Sequence, residues 1–292
     1  MAKASTSNSL EGGAIVIKNL QTEAMTVKII GTSPLICNRM ATKAWHELLA
    51  PKKKTAADRA NSLKHDPVRE FRDSPYMIED PKSPTAIGVM ASGFKKAMAT
   101  AAMRVGGAKK TEISQLVYVP GELINVYGLP RIFMSITRSA DMNKTPDTRT
   151  RCIVPQWAIE LPLTWVKGTL NETSILNLLN AAGFVCGVGD WRQEKGSGSF
   201  GSFTLVTEAN EAEFERIKAE GGREAQLEAF ASPVAYNNET AEMLAWFDAE
   251  IKARGDQAKQ AGATKGEGEA VPPKGRGRGK ANGHDTAAAG AH

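Results

Sequence analysis

The chain has 292 residues, of which 41% are hydrophobic and 24% charged, and a formal net charge of +5. This is the composition of a globular protein with room for one large domain or two small ones. No apolar run reaches the roughly 18–20 residues that a membrane-spanning helix needs. The N-terminus lacks a secretory core, and the three cysteines, Cys37, Cys152 and Cys186, show neither metal-ligand nor disulfide spacing. Together these place the protein in a reducing cytoplasm, away from membranes.

The charge is uneven. Arg39–Lys110 carries 15 Lys/Arg against 7 Asp/Glu, whereas Leu205–Glu250 carries 3 against 11. A basic face for an anionic partner explains this, and so do subunit contacts between opposite charges or the solvated faces of ordinary helices.

In chain order, residues 1–13 read as a disordered lead-in. Ala24–Thr32 alternates with period two and reads as a strand, broken by Ser33-Pro34. A short helix, Ala41–Leu49, precedes a lysine-rich stretch from Pro51 to Asp66, which is a mobile loop or an exposed helix. Val68–Asp73 forms a helical turn. Ile87–Arg104 has helical spacing of Phe94, Ala97, Met98 and Ala101, and Gly106-Gly107 ends it. Gln115–Val119, Leu123–Tyr127, Ile132–Thr137 and Ala158–Val166 read as strands. Pro162 suggests that the last of these is an edge or carries a bulge. Arg138–Arg151 is a polar excursion with the character of a functional or disordered loop. Ile175–Ala182 is an apolar helix with Gly183 at its C-terminal end. A glycine-dense loop follows, then a strand over Gly201–Val206.

Glu211–Phe230 and Thr240–Ala253 are helical, and they make residues 208–254 the acidic end of a single domain spanning 14–254. Residues 255–292, rich in glycine and alanine, read as a disordered basic tail. The order of elements predicts an α+β fold with a mainly antiparallel sheet, in the split βαβ or ferredoxin-like version.

The residues offer no positive case for an enzyme. His46 and His65 have the setting of surface residues, and His284 and His292 lie in the tail. No Cys/His cluster has zinc spacing, and no nucleophile elbow occurs. A nuclease with dispersed acids is the residual catalytic possibility. No cofactor or metal is expected. Gly187-Val-Gly-Asp190 is not a dinucleotide fingerprint, because a helix precedes it and a strand follows.

The glycine loop, 183–203, carries Trp191, Arg192, Lys195, Phe200 and Phe203. Either its aromatics simply pack a long hairpin, or Arg192 and Lys195 contact phosphates while Trp191 stacks on a base. Arg138, Lys144, Arg149 and Arg151 are further candidate phosphate contacts, with Thr145 and Thr148 beside them, or they only line a solvated surface loop. Lys95 and Lys96 form the wet face of their helix or add to the same surface. Lys274, Arg276, Arg278 and Lys280 in the tail supply salt-dependent, sequence-independent attraction, or only solubility.

Two segments carry a resemblance. Val27-Lys-Ile-Ile-Gly-Thr-Ser-Pro-Leu-Ile-Cys-Asn38 is a strand ending in a Gly-Thr-x-Pro-Leu turn. Leu178–Arg192, with Gly-Val-Gly-Asp-Trp-Arg at its end, leads through Lys195-Gly into Ser199-Phe-Gly-Ser-Phe203. The pair is similar to a family of uncharacterised bacteriophage proteins, over roughly residues 14–206. It also resembles the RAMP-type backbone subunits of CRISPR systems, which are ferredoxin-like and carry a glycine-rich loop near the C-terminal end of the fold. The resemblance implies a subunit that polymerises along single-stranded nucleic acid in a host bacterial cytoplasm.

The sequence therefore points to a non-catalytic, self-associating protein of a phage replication or recombination module. It binds single strands, DNA before RNA, with weak sequence preference. The alternative is a structural protein, such as an assembly subunit or an inhibitor of a host complex.

Overall fold

The computed structural model describes residues 19–50, 65–138, 146–195 and 198–265. The chain divides into two units, Met1–Leu244 and Ala245–His292. The first is built on β1 (Thr22–Gly31). Its alternation sends Val27 and Ile29 into the main core, while Lys28 and Ile30 face the other way.

β1 lies inside a four-stranded antiparallel sheet in the order β10 (Phe203–Leu205), β1, β9 (Ala158–Val166), β5 (Val117–Tyr118). α3 (Ala91–Val105) falls between β1 and β5 in the chain, and α5 (Glu172–Val185) falls between β9 and β10. The fourth core strand thus lies beside the first, and the third lies between the first and second. This is the ferredoxin-like β-α-β-β-α-β arrangement that the sequence suggests.

α3 and α5 pack into one core with the inward residues of β1 and β9, where Phe94 meets Phe203 edge-on at 5.7 Å. The opposite face of the sheet is covered by α6 (Glu211–Glu220), whose Phe214 and Ile217 cluster with Ile30, Tyr127 and Ala158. Lys28 reaches Glu211 at 2.6 Å and Glu215 at 2.8 Å, and Lys218 reaches Glu160 at 2.7 Å. Three acids facing α6 and on it therefore meet lysines of their own domain. The hydrogen bonds to Glu211 and Glu215 hold the Lys28 ammonium well above its ordinary range.

The remaining strands are insertions. β2 (Leu35–Ile36), β8 (Pro146–Val154) and β7 (Arg131–Arg138) form one sheet, and β3 (Tyr76–Met77), β4 (Ile87–Met90) and β6 (Leu123–Asn125) form another. The helices α1 (Thr42–Leu49), α2 (Pro67–Asp73), α4 (Lys110–Leu116), α7 (Arg223–Ala231) and α8 (Asn238–Lys265) complete the described elements.

α2 caps the edge of β8 beyond β2. Ser74 Oγ accepts the Cys152 N–H at 2.6 Å, and Glu70 accepts that of Thr150 at 3.4 Å. In α7, the fully buried Gln226 holds three segments together. Its Oε1 accepts from Ala86 and Ile87 N–H, and its Nε2 faces the carbonyls of Val126, Gly128 and Gly221.

Several local expectations are corrected. Ile87–Met90 is strand β4, paired with β6, and the helix begins only at Ala91. Residues 115–116 belong to α4, whose start Glu112 secures by accepting the Lys109 N–H at 3.0 Å. The described part of the excursion after Arg138, from Pro146 on, is strand β8. α8 continues to Lys265, past the expected boundary at residue 254. Pro162 sits in an interior strand, but in a gap. On that side of β9, β5 reaches only Thr164 and Trp165, and Tyr127 bridges Ala158. No neighbour there asks for the N–H that proline lacks.

Gly183 is no cap. It lies inside α5, where an added Cβ would collide with the Phe203 carbonyl and ring. In a helix alanine is ordinarily worth up to about 1 kcal/mol over glycine. Here the sign reverses: Gly183→Ala is expected to cost about 1–3 kcal/mol, seen as a lower denaturation midpoint at an unchanged slope.

Candidate functional site

The site grows from the pairing of β7 with β8. Phe133 stands opposite Arg151, Ser135 opposite Arg149, and Thr137 opposite Asp147. With a side-chain period of two, these residues share one face. The other face carries Ile132, Met134, Thr150 and Cys152, all buried. Arg138 stands opposite Pro146 at the open end of the ladder. By the same alternation it lies on the face of Ile132 and Met134, away from Arg149 and Arg151.

The second wall is the glycine loop. α5 ends at Val185 with Cys186 as its C-cap, and the chain then passes through Gly187 (φ 68), Gly189 (φ 82) and Trp191 (φ 48) before Gly201 (φ 71) leads to β10. Trp191 is the one non-glycine residue with positive φ among those described. The loop is laced to itself and to the β1–β2 turn. Val188 N–H donates to Gly201 O at 2.9 Å, Asp190 N–H to Ile36 O at 2.9 Å, and Gly201 N–H to Pro34 O at 2.8 Å. Ser33 Oγ accepts the Ser202 N–H at 3.0 Å. The two segments that carry the family resemblance are thus in direct contact. At Gly201 a Cβ would strike the Val188 carbonyl, so glycine is required there for both space and φ.

Between the two walls lies a small pocket, open to solvent. β7 gives it Phe133, Ser135 and Thr137, and β8 gives Arg149 and Arg151. The loop adds Asp190 and Trp191, and β2 adds Ile36. Arg151 Nε lies 3.7 Å from Asp190 Oδ2, and its N–H is buried without a hydrogen-bond partner. Half-buried Trp191 stacks on Phe200 at 6.2 Å and meets Phe133 edge-on at 6.4 Å. Phe133 in turn meets Tyr236 at 5.5 Å.

Of the residues singled out from sequence, Arg149, Arg151 and Trp191 come together here. Arg192 turns inward, to Glu194 Oε2 at 2.8 Å and to the Gly189 carbonyl at 3.2 Å. Burial pushes the Glu194 carboxyl up, but the Arg192 guanidinium more than offsets this and leaves it below its ordinary value. Lys195 is exposed on a short 3₁₀ turn, Gln193–Lys195. Lys95 and Lys96 lie on α3 and do not line the pocket. Lys144, Thr145 and the tail cations Lys274, Arg276, Arg278 and Lys280 fall outside the described residues.

Sequence reasoning gave no role to Phe133, Ser135, Thr137 or Asp190. The signal for the first three is the alternation Phe133-x-Ser-x-Thr137, which becomes visible once Arg149-x-Arg151 is read as strand. His65 is also more than a surface residue. Its ring nitrogens lie 2.9 Å from Glu70 and 3.1 Å from Asp147, tying α2 to β8. Among the described residues, no group of three or more His, Cys, Asp and Glu could hold a metal ion, and no helix is long and apolar enough to cross a membrane.

No family model and no curated protein matches the sequence. Among solved structures, the crystal structure of Cmr6 from Pyrococcus furiosus is similar over 64% of this chain and 98% of that one, at 10% identity and a TM-score of 0.34.

Proposed function

We propose that this chain is a non-catalytic protein that binds single-stranded nucleic acid in the pocket between β7–β8 and the glycine loop. The observation that carries the reading is the convergence of Arg149, Arg151 and Trp191 from separate parts of the sequence. One of these guanidinium groups keeps a buried N–H without a hydrogen-bond partner. Cations beside an aromatic ring suit a strand whose phosphates and bases are both accessible. The Trp191 backbone supports it as well, since sparsely populated φ values concentrate at functional sites. The finer reading, from the resemblance of the two laced segments, is a self-associating component of a phage replication or recombination module that prefers DNA.

A mobility-shift series on single- and double-stranded DNA and RNA at low salt tests this. Retardation of single strands is expected, and no retardation of any single strand overturns the reading. Trp191→Ala is expected to weaken binding about tenfold, the worth of one stacked base, while the melting temperature changes little. A collapse of the melting transition would show that the ring only packs. The second reading, an assembly subunit or an inhibitor of a host complex, is favoured by exposed Trp45, Leu48 and Leu49 on α1. Size-exclusion with and without nucleic acid separates the two.

A further inference from the structure

Asp190 is out of place in a pocket that serves only phosphates. A carboxylate repels the backbone of a strand, yet this one borders the space lined by Trp191, Arg149 and Arg151. Its Oδ1 accepts the backbone N–H of Trp191 at 3.0 Å, which fixes the carboxylate within the loop. Its Oδ2 stands 3.7 Å from Arg151 Nε, too long for a hydrogen bond. The side chain is still 41% exposed, so a ligand can reach it. An ionised carboxylate can only accept hydrogen bonds. Its natural partner in a nucleic acid is the donor edge of a base, held on the neighbouring aromatic wall.

Resting on the strand-binding reading above, we propose that Asp190 makes the pocket selective for guanine. Guanine alone presents two adjacent donors on one edge, N1–H and the N2 amino group, and both can point at one carboxylate. Adenine and cytosine pair their amino donor with a ring-nitrogen acceptor, which the carboxylate repels. Thymine and uracil flank their single N–H with two carbonyls. Trp191 and Phe133 supply the apolar wall, while Arg151 and the exposed Arg149 are placed for the flanking phosphates.

The test is fluorescence anisotropy with labelled 12-mers in which thymidine alternates with guanosine, inosine, 7-deazaguanosine, adenosine or cytidine. Alternation avoids the guanine runs that self-associate. The guanosine strand is expected to bind about tenfold more tightly than the adenosine and cytidine strands, the discrimination of one bidentate contact. Inosine lacks the amino group and falls between them, and 7-deazaguanosine, with that edge intact, matches guanosine. Asp190→Asn keeps an oxygen for the Trp191 N–H and so preserves the loop. It is expected to abolish the ranking and to raise affinity for the adenosine strand, because Arg151 loses its counter-charge.

Equal binding of all strands by the native chain overturns guanine selectivity and leaves strand binding standing. A ranking that survives in Asp190→Asn overturns Asp190 as its source. If no strand binds, the function proposed above falls, and the selectivity with it. The inosine comparison needs no variant and tests selectivity for the guanine edge even if Asp190→Asn misfolds.

Discussion

The variant carrying both Arg149→Ala and Arg151→Ala is expected to bind single strands about a hundredfold more weakly at low salt, while its near-ultraviolet circular dichroism stays native. Each guanidinium in the pocket offers a charge-assisted hydrogen bond worth about 1.5–3 kcal/mol, so losing both removes two decades or more of affinity. The salt response is the sharper readout. Two lost phosphate contacts shrink the slope of log affinity against log salt by about 1.4 on a single strand. The double variant Arg149→Lys, Arg151→Lys keeps both charges, so its slope should stay near native. Its affinity should still fall, because an ammonium lacks the planar fork of donors. An alanine variant with unchanged slope places the phosphates elsewhere on the molecule.

Gln226→Leu is expected to cost at least about 3 kcal/mol of folding stability, with a clear drop in melting temperature and loss of protection at the Ala86 and Ile87 amides on hydrogen exchange. Leucine fills nearly the same volume but offers no polar atom. It would strand two N–H groups and the carbonyls of Val126 and Gly128 in a site that water does not reach, while the Gly221 carbonyl keeps the Gly128 N–H at 3.0 Å. A buried unsatisfied group costs about 1–3 kcal/mol, and local rearrangement can re-pair only some of the four. The damage should spread beyond α7, because those groups belong to the start of β4 and the segment after β6. A fall of under about 1 kcal/mol would mean that these segments are held chiefly by their apolar contacts.

The fold was legible wherever a pattern was carried by apolar residues. Alternation marked β1, β7 and β9, helical spacing marked α3 and α5, and their order gave the ferredoxin-like core. It failed where burial and polarity part company. β8 is a strand with Asp147, Arg149 and Arg151 along it, so its composition imitates a loop. β4 runs without a break into α3, and its four residues lack a turn signal to separate them.

Of the site, the arginines and Trp191 were legible as residue types, but their meeting was not. The contact of the glycine loop with Pro34 and Ile36 joins positions more than 150 residues apart, beyond the reach of any local pattern. Gln226 was invisible for the same reason, since an amide on an amphipathic helix ordinarily faces water.

The pairing of β10 with β1 also sets when the pocket comes into being. The two strands that flank the laced loop and turn are the first and last of the core, so a growing chain on the ribosome can complete the β7–β8 pair before Asp190 and Trp191 have been made. Contacts of such long sequence separation form late, after the cost of closing the intervening loop has been met. A nascent chain halted ahead of Asp190 would display the arginine-bearing strands without the wall that completes the pocket, so the protein gains its grip only in the last stage of core assembly.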